Sequence, residues 1–376
     1  MSGTTLSLFI LLTVLSFIGV ILFWPRLGRS SLRNVTLRIS SLLIINLLFV
    51  STLGLVVNNY GGFYGSWNEL LGIQKIIPSI PEELVKPVSL QDLERAKITP
   101  NGSAVIRTVI KGSQSQIVGT ILTVLPPSYV EQLRKDPTSL ALKRYHAIEF
   151  LSGFPGSPTT WLHGMNLVHY FEQAQMTGAM PPTIAVLPQI NILPHRDTEC
   201  LDVPNGPQIE TWLTQDVVSY EKRFLLLPDG RWGVTGYSTG GWCTAMLTLR
   251  NPTVFLAGAP IAAYFEPQFA TPFPAKSLAE MKAKYDIKAI ATSNPPSVNM
   301  LLINSPRDAS SSAETIKFAA LLKKPVQEYE ITLLNAGHNL KAWQRVEPTI
   351  LQWFGKVFKL DPARTKTHLV SSRQSK

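Results

Sequence analysis

The chain has 376 residues, 45% of them hydrophobic and only 16% charged, with 35 Lys and Arg against 25 Asp and Glu and just 2 Cys. This composition excludes an intrinsically disordered chain and a small disulfide framework, and it leaves room for one large domain or two ordinary ones. With so little charge, the apolar surplus has to be concentrated somewhere.

It is concentrated at the N-terminus. Leu6–Trp24 and Ile39–Val57 are each 19 residues without a charge. As helices each spans about 28 Å, enough for the hydrocarbon core of a bilayer. A cleaved signal peptide fits less well, because no Lys or Arg precedes Leu6 and the first run ends in Trp24-Pro25 rather than in a small-residue cleavage site. The expected arrangement is a membrane anchor over residues 1–60, with spans at 6–24 and 39–57. Between them, residues 25–38 carry Arg26, Arg29, Arg33 and Arg38 and no acidic residue. The positive-inside rule places that loop in the cytoplasm and everything after Val57 outside. Much of the remaining basic excess lies in Lys356–Lys376, where six basic residues face only Asp361. No basic face for nucleic acid is implied, and residues 361–376 read as a flexible basic tail able to touch anionic lipid.

Residues 61–101 read as a juxtamembrane linker, Gly- and aromatic-rich at first and Pro-spaced from Pro78. After Gly102 short β-branched runs alternate with longer amphipathic ones. Ala104–Lys111 and Gln116–Leu125 form a strand pair turning at Gly112–Ser115, which makes them antiparallel. Strands are then predicted at His146–Leu151, Thr183–Pro188, Trp232–Tyr237, Val254–Ala259, Val298–Asn304 and Glu328–Leu333. Helices are predicted at Thr159–Gln175, Ile209–Tyr220, Thr239–Arg250, Ser312–Leu322 and Leu340–Phe358. Alternation of this kind calls for a mixed, mostly parallel sheet with helices on both faces, an α/β domain over residues 102–360. Ala263–Pro296, without strong periodicity, reads as an excursion over the top of the sheet.

The sharpest local pattern is Gly236-Tyr237-Ser238-Thr239-Gly240, a G-x-S-x-G between a predicted strand and a predicted helix. A serine on such a turn is held in a strained backbone, and small residues are needed where strand and helix approach. A serine hydroxyl also needs a base, and the base needs an orienting carboxylate. Asp308 and His338 each stand just beyond a late strand, in the chain order Ser, acid, His. Glu314 is the alternative acid. Of the six His, only His338 follows Ser238 inside the domain; His146 opens a strand, His163 and His169 fall in a helix, and His368 lies in the tail. An acyl-transfer intermediate needs two backbone N–H donors. Thr239, after the nucleophile, is one candidate. Phe154, in the Gly153-Phe154-Pro155-Gly156 turn after the third strand, is the other, since Pro155 has no N–H. Cys200 and Cys243, in an extracytoplasmic domain, are expected to form a disulfide. No metal or organic cofactor is called for, and His195, Asp197 and Asp202 match no strong ligand spacing.

The stretch from about Ser115 to Phe354 resembles the α/β-hydrolase esterases that include the esterase D group and the secreted mycolyltransferases of actinobacterial envelopes. The resembling pieces are VLPPSY, FLSGFPGSPTTW, IETWLTQDVVSY, GVTGYSTGGWCTAMLTLRNPTVF and NAGHNLKAW. The resemblance implies an α/β-hydrolase fold, a nucleophile at Ser238, a base at His338 with an acidic partner, and oxyanion donors at Phe154 and Thr239. The chain differs from mycolyltransferases in its two spans and in having Pro155 where they carry a basic residue. The expected activity is a membrane-anchored serine esterase or acyltransferase acting on an envelope or lipid ester. The rival reading is a catalytically inactive hydrolase-fold protein used for binding or scaffolding in the envelope. The rings of Phe154, Trp161, Tyr264, Phe265, Phe269 and Phe273 are candidates for an acyl site or, equally, for packing on the sheet.

Overall fold

The computed structural model describes residues 3–28, 31–61, 67–71, 79–137, 145–193, 196–269 and 275–360. Arg29, His195, Phe273, His368 and the basic tail lie outside the described residues. The chain divides into two units, residues 1–74 and 75–376.

The first unit holds two helices, α1 (Gly3–Phe23) and α2 (Leu32–Gly61). Both are long and apolar enough to cross a membrane, and only 6% and 11% of their apolar windows are buried. Within this unit their apolar surface is largely left uncovered, unlike that of a soluble core helix. The hydroxyls of Thr13 and Thr52 lie 2.9 Å apart across the pair, and the Arg38 guanidinium sits 4.9 Å from the Trp24 ring centroid. Helix α2 begins seven residues before the expected span, because nothing in Leu32–Arg38 breaks a helix.

The second unit is built on one sheet of ten strands: β1 (Ile80–Pro81), β2 (Lys97–Ile98), β3 (Ala104–Lys111), β4 (Val118–Leu125), β5 (His146–Leu151), β6 (Thr183–Pro188), β7 (Trp232–Tyr237), β8 (Phe255–Ile261), β9 (Asn299–Asn304) and β10 (Gln327–Thr332). The order is β1-β3-β4-β6-β5-β7-β8-β9-β10, with β2 beside β3. Strands β6 through β10 run parallel, whereas β3 and β4 pair antiparallel from Ala104 opposite Leu125 to Lys111 opposite Val118. Central strands covered on both faces read as continuous apolar runs, and every residue of β7 and β8 is buried. Two hydrophobic clusters lie against the sheet, one holding Trp212, Trp242 and Phe255, the other Phe150, Trp161 and Phe354.

Chain order reverses at β5, with β6 on one side and β7 on the other. The crevice beyond the carboxyl ends of β5 and β7 is the switch point where such sheets present loops to ligands.

Several element boundaries differ from the sequence reading. The single helix expected at Thr159–Gln175 is two, Pro158–His163 and Leu167–Met176, separated at Asn166, whose φ of 55° is left-handed. The long C-terminal helix is likewise split into Leu340–Gln344 and Glu347–Leu360, with Pro348 in the first turn of the second, where its missing N–H costs nothing. The helix from Ile209 continues to Phe224 through a π-helical turn at Trp212–Asp216. Ala263–Pro296 contains two helices, Ala275–Lys284 and Ile287–Ser293. Part of the stretch expected as a linker belongs to the domain: β1 and β2 pair with β3, and Val88 and Leu93 are buried in the core.

Glu149, Glu221 and Glu347 carry buried carboxyl groups. Among the described residues Glu149 on β5 and Glu347 have no partner for either oxygen, while Glu221 accepts one bond, from Thr123 Oγ1 at 2.6 Å. Desolvation holds Glu149 and Glu347 well above the ordinary carboxylate range and pushes Glu221 up to about 8. The folded protein thus keeps protons that the unfolded chain gives up above about pH 4.5, so stability falls as pH rises toward 8. Thermal melts between pH 5 and 8 should show a falling Tm, by about 2 °C for each kcal/mol lost. Glu221→Gln, which is neutral throughout, should flatten that slope; a slope unchanged in the variant would remove Glu221 as its source.

Candidate active site

Strand β7 ends at Tyr237, and a helix, Thr239–Arg250, starts two residues later. The crossing is tight enough to exclude side chains. A Cβ on Gly236 would lie 2.3 Å from the Gly240 carbonyl oxygen, and one on Gly240 would lie 2.4 Å from that of Leu151 on β5. Between these glycines Ser238 adopts φ 56° and ψ −120°, a conformation that an L-residue holds only when its surroundings enforce it. Its N–H donates to Ile261 O at 3.0 Å, and its carbonyl accepts from Gly241 and Trp242 at 2.9 and 3.1 Å, so the strained residue is tied to β8 and to the new helix.

The side chain of Ser238 meets a histidine delivered from a distant strand. His338 follows β10, and its Nε2 lies 3.1 Å from Ser238 Oγ. Its Nδ1 lies 2.7 Å from Asp308 Oδ2. Asp308 follows β9, is 9% exposed and starts the helix Ala309–Ala319, while its own N–H donates to Ser305 O at 2.9 Å. The Ser305 hydroxyl bonds to Ala336 O, which joins the loop of the acid to the loop of the histidine. Behind the imidazole, the Trp343 ring stands edge to face with His338 at 4.8 Å and stacks on Tyr237 at 4.8 Å. The structure therefore brings Ser238, His338 and Asp308 together in one hydrogen-bonded line. Glu314, the alternative acid, lies on the following helix in an ion pair with Lys317.

The turn after β5 lies against the nucleophile, since a Cβ on Gly153 would come within 3.1 Å of Ser238 Cβ. Phe154 is the next residue. Thr239 is the first residue of its helix, so its N–H is among those that no intrahelical carbonyl satisfies. Both candidate oxyanion residues are thus chain neighbours of groups at the nucleophile, Phe154 of Gly153 and Thr239 of Ser238 itself.

Two polar residues that the sequence reading did not single out for catalysis complete the surroundings. Asn191 Nδ2 donates to Gly153 O at 3.0 Å and to Gly156 O at 2.7 Å. Asp197 Oδ2 accepts from Thr239 Oγ1 at 2.6 Å, and Oδ1 accepts from Glu199 N at 2.8 Å. Burial raises the Asp197 carboxyl above the ordinary range, against those two hydrogen bonds. Neither residue sits in a motif, and a lone Asn or Asp in a loop reads first as a turn former.

The loop carrying Asp197 is fastened to the nucleophile helix. Cys200 and Cys243 form a disulfide that closes a separation of 43 residues, worth about 4 kcal/mol in the chain-entropy account. Trp242 Nε1 donates to Glu199 O at 2.9 Å, and the Glu199 carboxylate accepts from Gln268 N at 2.7 Å. Tyr264 reaches the same carboxylate at 3.4 Å and stacks on Trp242, and burial drives its phenol pKa sharply upward.

Several of the rings considered for an acyl site are occupied with packing. Trp161 and Phe265 are each 1% exposed; Trp161 packs on Phe150 and Tyr237, and Phe265 stacks on Phe318 at 4.2 Å. Phe269 packs against the core, whereas Phe154 stays partly exposed. His146 stacks on Phe358 at the opposite end of β5, and His169 lies against Tyr170. Among the described residues no cluster of His, Cys, Asp or Glu has the arrangement of a metal site. Asp202 instead bonds Thr211 through both of its carboxylate oxygens.

No protein-family model matches the chain, and no curated protein matches it in sequence. Solved structures do match in fold. A ferulic acid esterase superposes with a TM-score of 0.54 at 18% identity, covering 68% of this chain and 98% of its own. An S-formylglutathione hydrolase from Agrobacterium tumefaciens gives 0.55 at 13% identity, covering 69% and 96%. A fluorophosphonate-binding serine hydrolase of Staphylococcus aureus gives 0.53 at 16% identity, covering 67% and 98%. The second unit therefore has the α/β-hydrolase fold of these proteins.

The glycine contacts generate a direct test. Gly240→Ala places a methyl group 2.4 Å from a backbone oxygen that cannot move without displacing β5. Urea unfolding should show a loss of about 3 kcal/mol or more. A loss under about 1 kcal/mol would mean that strand and helix can separate freely there.

Proposed function

We propose that the chain is a membrane-anchored serine esterase or acyltransferase that works outside the cytoplasmic membrane on an envelope or lipid ester. The observation that carries this reading is the hydrogen-bonded line Ser238–His338–Asp308, set on a strained turn at the switch point of the sheet.

The chemistry follows from the positions. His338 Nε2 removes the proton from Ser238 Oγ as that oxygen attacks the ester carbonyl, and Asp308 keeps the imidazole in the tautomer whose Nε2 is free to accept. The N–H groups of Phe154 and Thr239 receive the oxyanion. Collapse of the tetrahedral intermediate breaks the C–O bond, and His338 hands its proton to the departing alcohol. Water, or a hydroxyl of a second substrate, then gives its proton to His338 and attacks the acyl-enzyme, releasing the acid or a new ester and restoring Ser238. His338 has 46% of its side chain exposed, which leaves room for a second nucleophile to approach. Anchoring through α1 and α2 holds this site near the membrane and raises its effective concentration toward lipid esters.

A fluorophosphonate probe distinguishes an enzyme from a silent scaffold. The wild type should label and Ser238→Ala should not; equal labelling of both would remove Ser238 from the mechanism. With p-nitrophenyl acetate, His338→Ala and Asp308→Asn should each lower kcat by about 10^3- to 10^4-fold with little change in Tm.

Sidedness is tested separately. The arginines of residues 25–38 have no acidic counterweight, so alkaline phosphatase fused after Asn59 should be active in bacterial cells. An inactive fusion there, beside a working cytoplasmic reporter at the same site, would reverse the orientation.

A further inference from the structure

One side chain grips the oxyanion turn at two of its carbonyls. Asn191 lies just beyond β6 and is half-buried, and its Nδ2 donates to the carbonyls of Gly153 and Gly156 at 3.0 and 2.7 Å. Both partners are pure acceptors, so the amide must present its NH2 end to them, and the orientation of the carboxamide is settled by chemistry. A side chain at position 156 would break this arrangement, since its Cβ would lie 2.8 Å from Gly153 O.

The first of these bonds matters because of which peptide it grips. The carbonyl of Gly153 and the N–H of Phe154 belong to the same peptide plane, and in a trans peptide the two point in opposite directions. Holding the oxygen on the Asn191 side therefore directs the N–H to the other side, and a hydrogen bond accepted by the oxygen also polarises the N–H. The second bond, to Gly156, closes the turn on itself. Asn191 is itself well anchored. Its carbonyl accepts from Gln189 Nε2 at 3.1 Å, and Gln189 is bound through its N–H to Thr120 O on β4 and through its carbonyl to Trp212 Nε1.

We propose that Asn191 is a positioning residue of the catalytic site, fixing and polarising the Gly153–Phe154 peptide so that the Phe154 N–H is preorganised for the oxyanion. The proposal rests on the esterase reading above and adds to it a residue that never touches the substrate. Geometry explains the choice of side chain. Aspartate has the same shape but only acceptors, serine has one donor and less reach, and alanine leaves two carbonyls without their partner.

The test uses the purified full-length chain in detergent, with p-nitrophenyl acetate as substrate and phenylboronic acid as a probe of the tetrahedral state. Asn191→Ala should lower kcat and kcat/KM together by about ten-fold or more, short of or up to the hundred-fold typical of losing an oxyanion donor outright, with KM nearly unchanged. Binding of phenylboronic acid should weaken by the same factor. Asn191→Asp, isosteric but unable to donate, should fall at least as far as Asn191→Ala while its circular dichroism stays that of the wild type. A space-filling role predicts the opposite, an aspartate variant with wild-type kcat, and that result overturns the proposal. So does an alanine variant whose loss of activity tracks its unfolded fraction while its affinity for phenylboronic acid is unchanged. A wild type that neither labels with fluorophosphonate nor turns over the ester overturns the esterase reading and this proposal together, whereas an active wild type matched by both variants overturns this proposal alone.

Discussion

The constraint on which the catalytic end of the molecule depends is the backbone-on-backbone contact where β5, β7 and the nucleophile helix cross. A helix normally keeps its distance from a strand by the width of its side chains. Here Gly236 and Gly240 remove that spacing, and the Leu151 and Gly240 carbonyls occupy the space where two Cβ atoms would be. Ser238 cannot relax out of its positive φ without driving the helix off the sheet, so the packing energy of the buried helix sustains the local strain. The same closeness explains why the turn after β5 lies against Ser238, and why the first amide of the helix is adjacent to it.

What could be read from the sequence is what depends on neighbours along the chain. The strands from Ala104 onward, the helix Thr239–Arg250 and the G-x-S-x-G turn all follow from local periodicity and glycine spacing, and each is in place. The helix breaks at Asn166 and at Arg345–Val346 were missed because amphipathic spacing carries on across both. Asn191 and Asp197 were missed as site residues for a different reason. Their partners lie 38 and 42 residues away, at Gly153 and Thr239, and only the folded sheet brings them into contact. The aromatic residues fall between these cases: Phe265 and Phe154 look alike in sequence, and only burial separates a ring stacked on Phe318 from one left partly exposed.

Carboxyl groups mark a division within the domain. Asp308 is almost as buried as the structural acids but has the His338 ring nitrogen 2.7 Å away, so its lone pairs are used. Glu149, four residues before Gly153 on the same strand and turn, has neither oxygen satisfied among the described residues, and its burial pushes the carboxyl well above the ordinary range. An unpartnered acid in the core costs stability.

Location and chemistry meet in the loop from Asp197 to Val203. Glu199 and Cys200 both hold left-handed backbone angles, with φ of 51° and 56°, which an unsupported loop of ordinary residues would abandon. Three fastenings keep them there: the Thr239 hydroxyl on Asp197, the Trp242 indole on the Glu199 carbonyl, and the disulfide from Cys200 to Cys243. All three end on the first two turns of the helix that begins after the nucleophile. The covalent one persists only in an oxidising compartment, and in a reducing one this wall beside Ser238 would be held by hydrogen bonds without the cross-link. The redox state of the compartment is then a condition on the site itself, because it decides whether the loop that braces Thr239 is cross-linked.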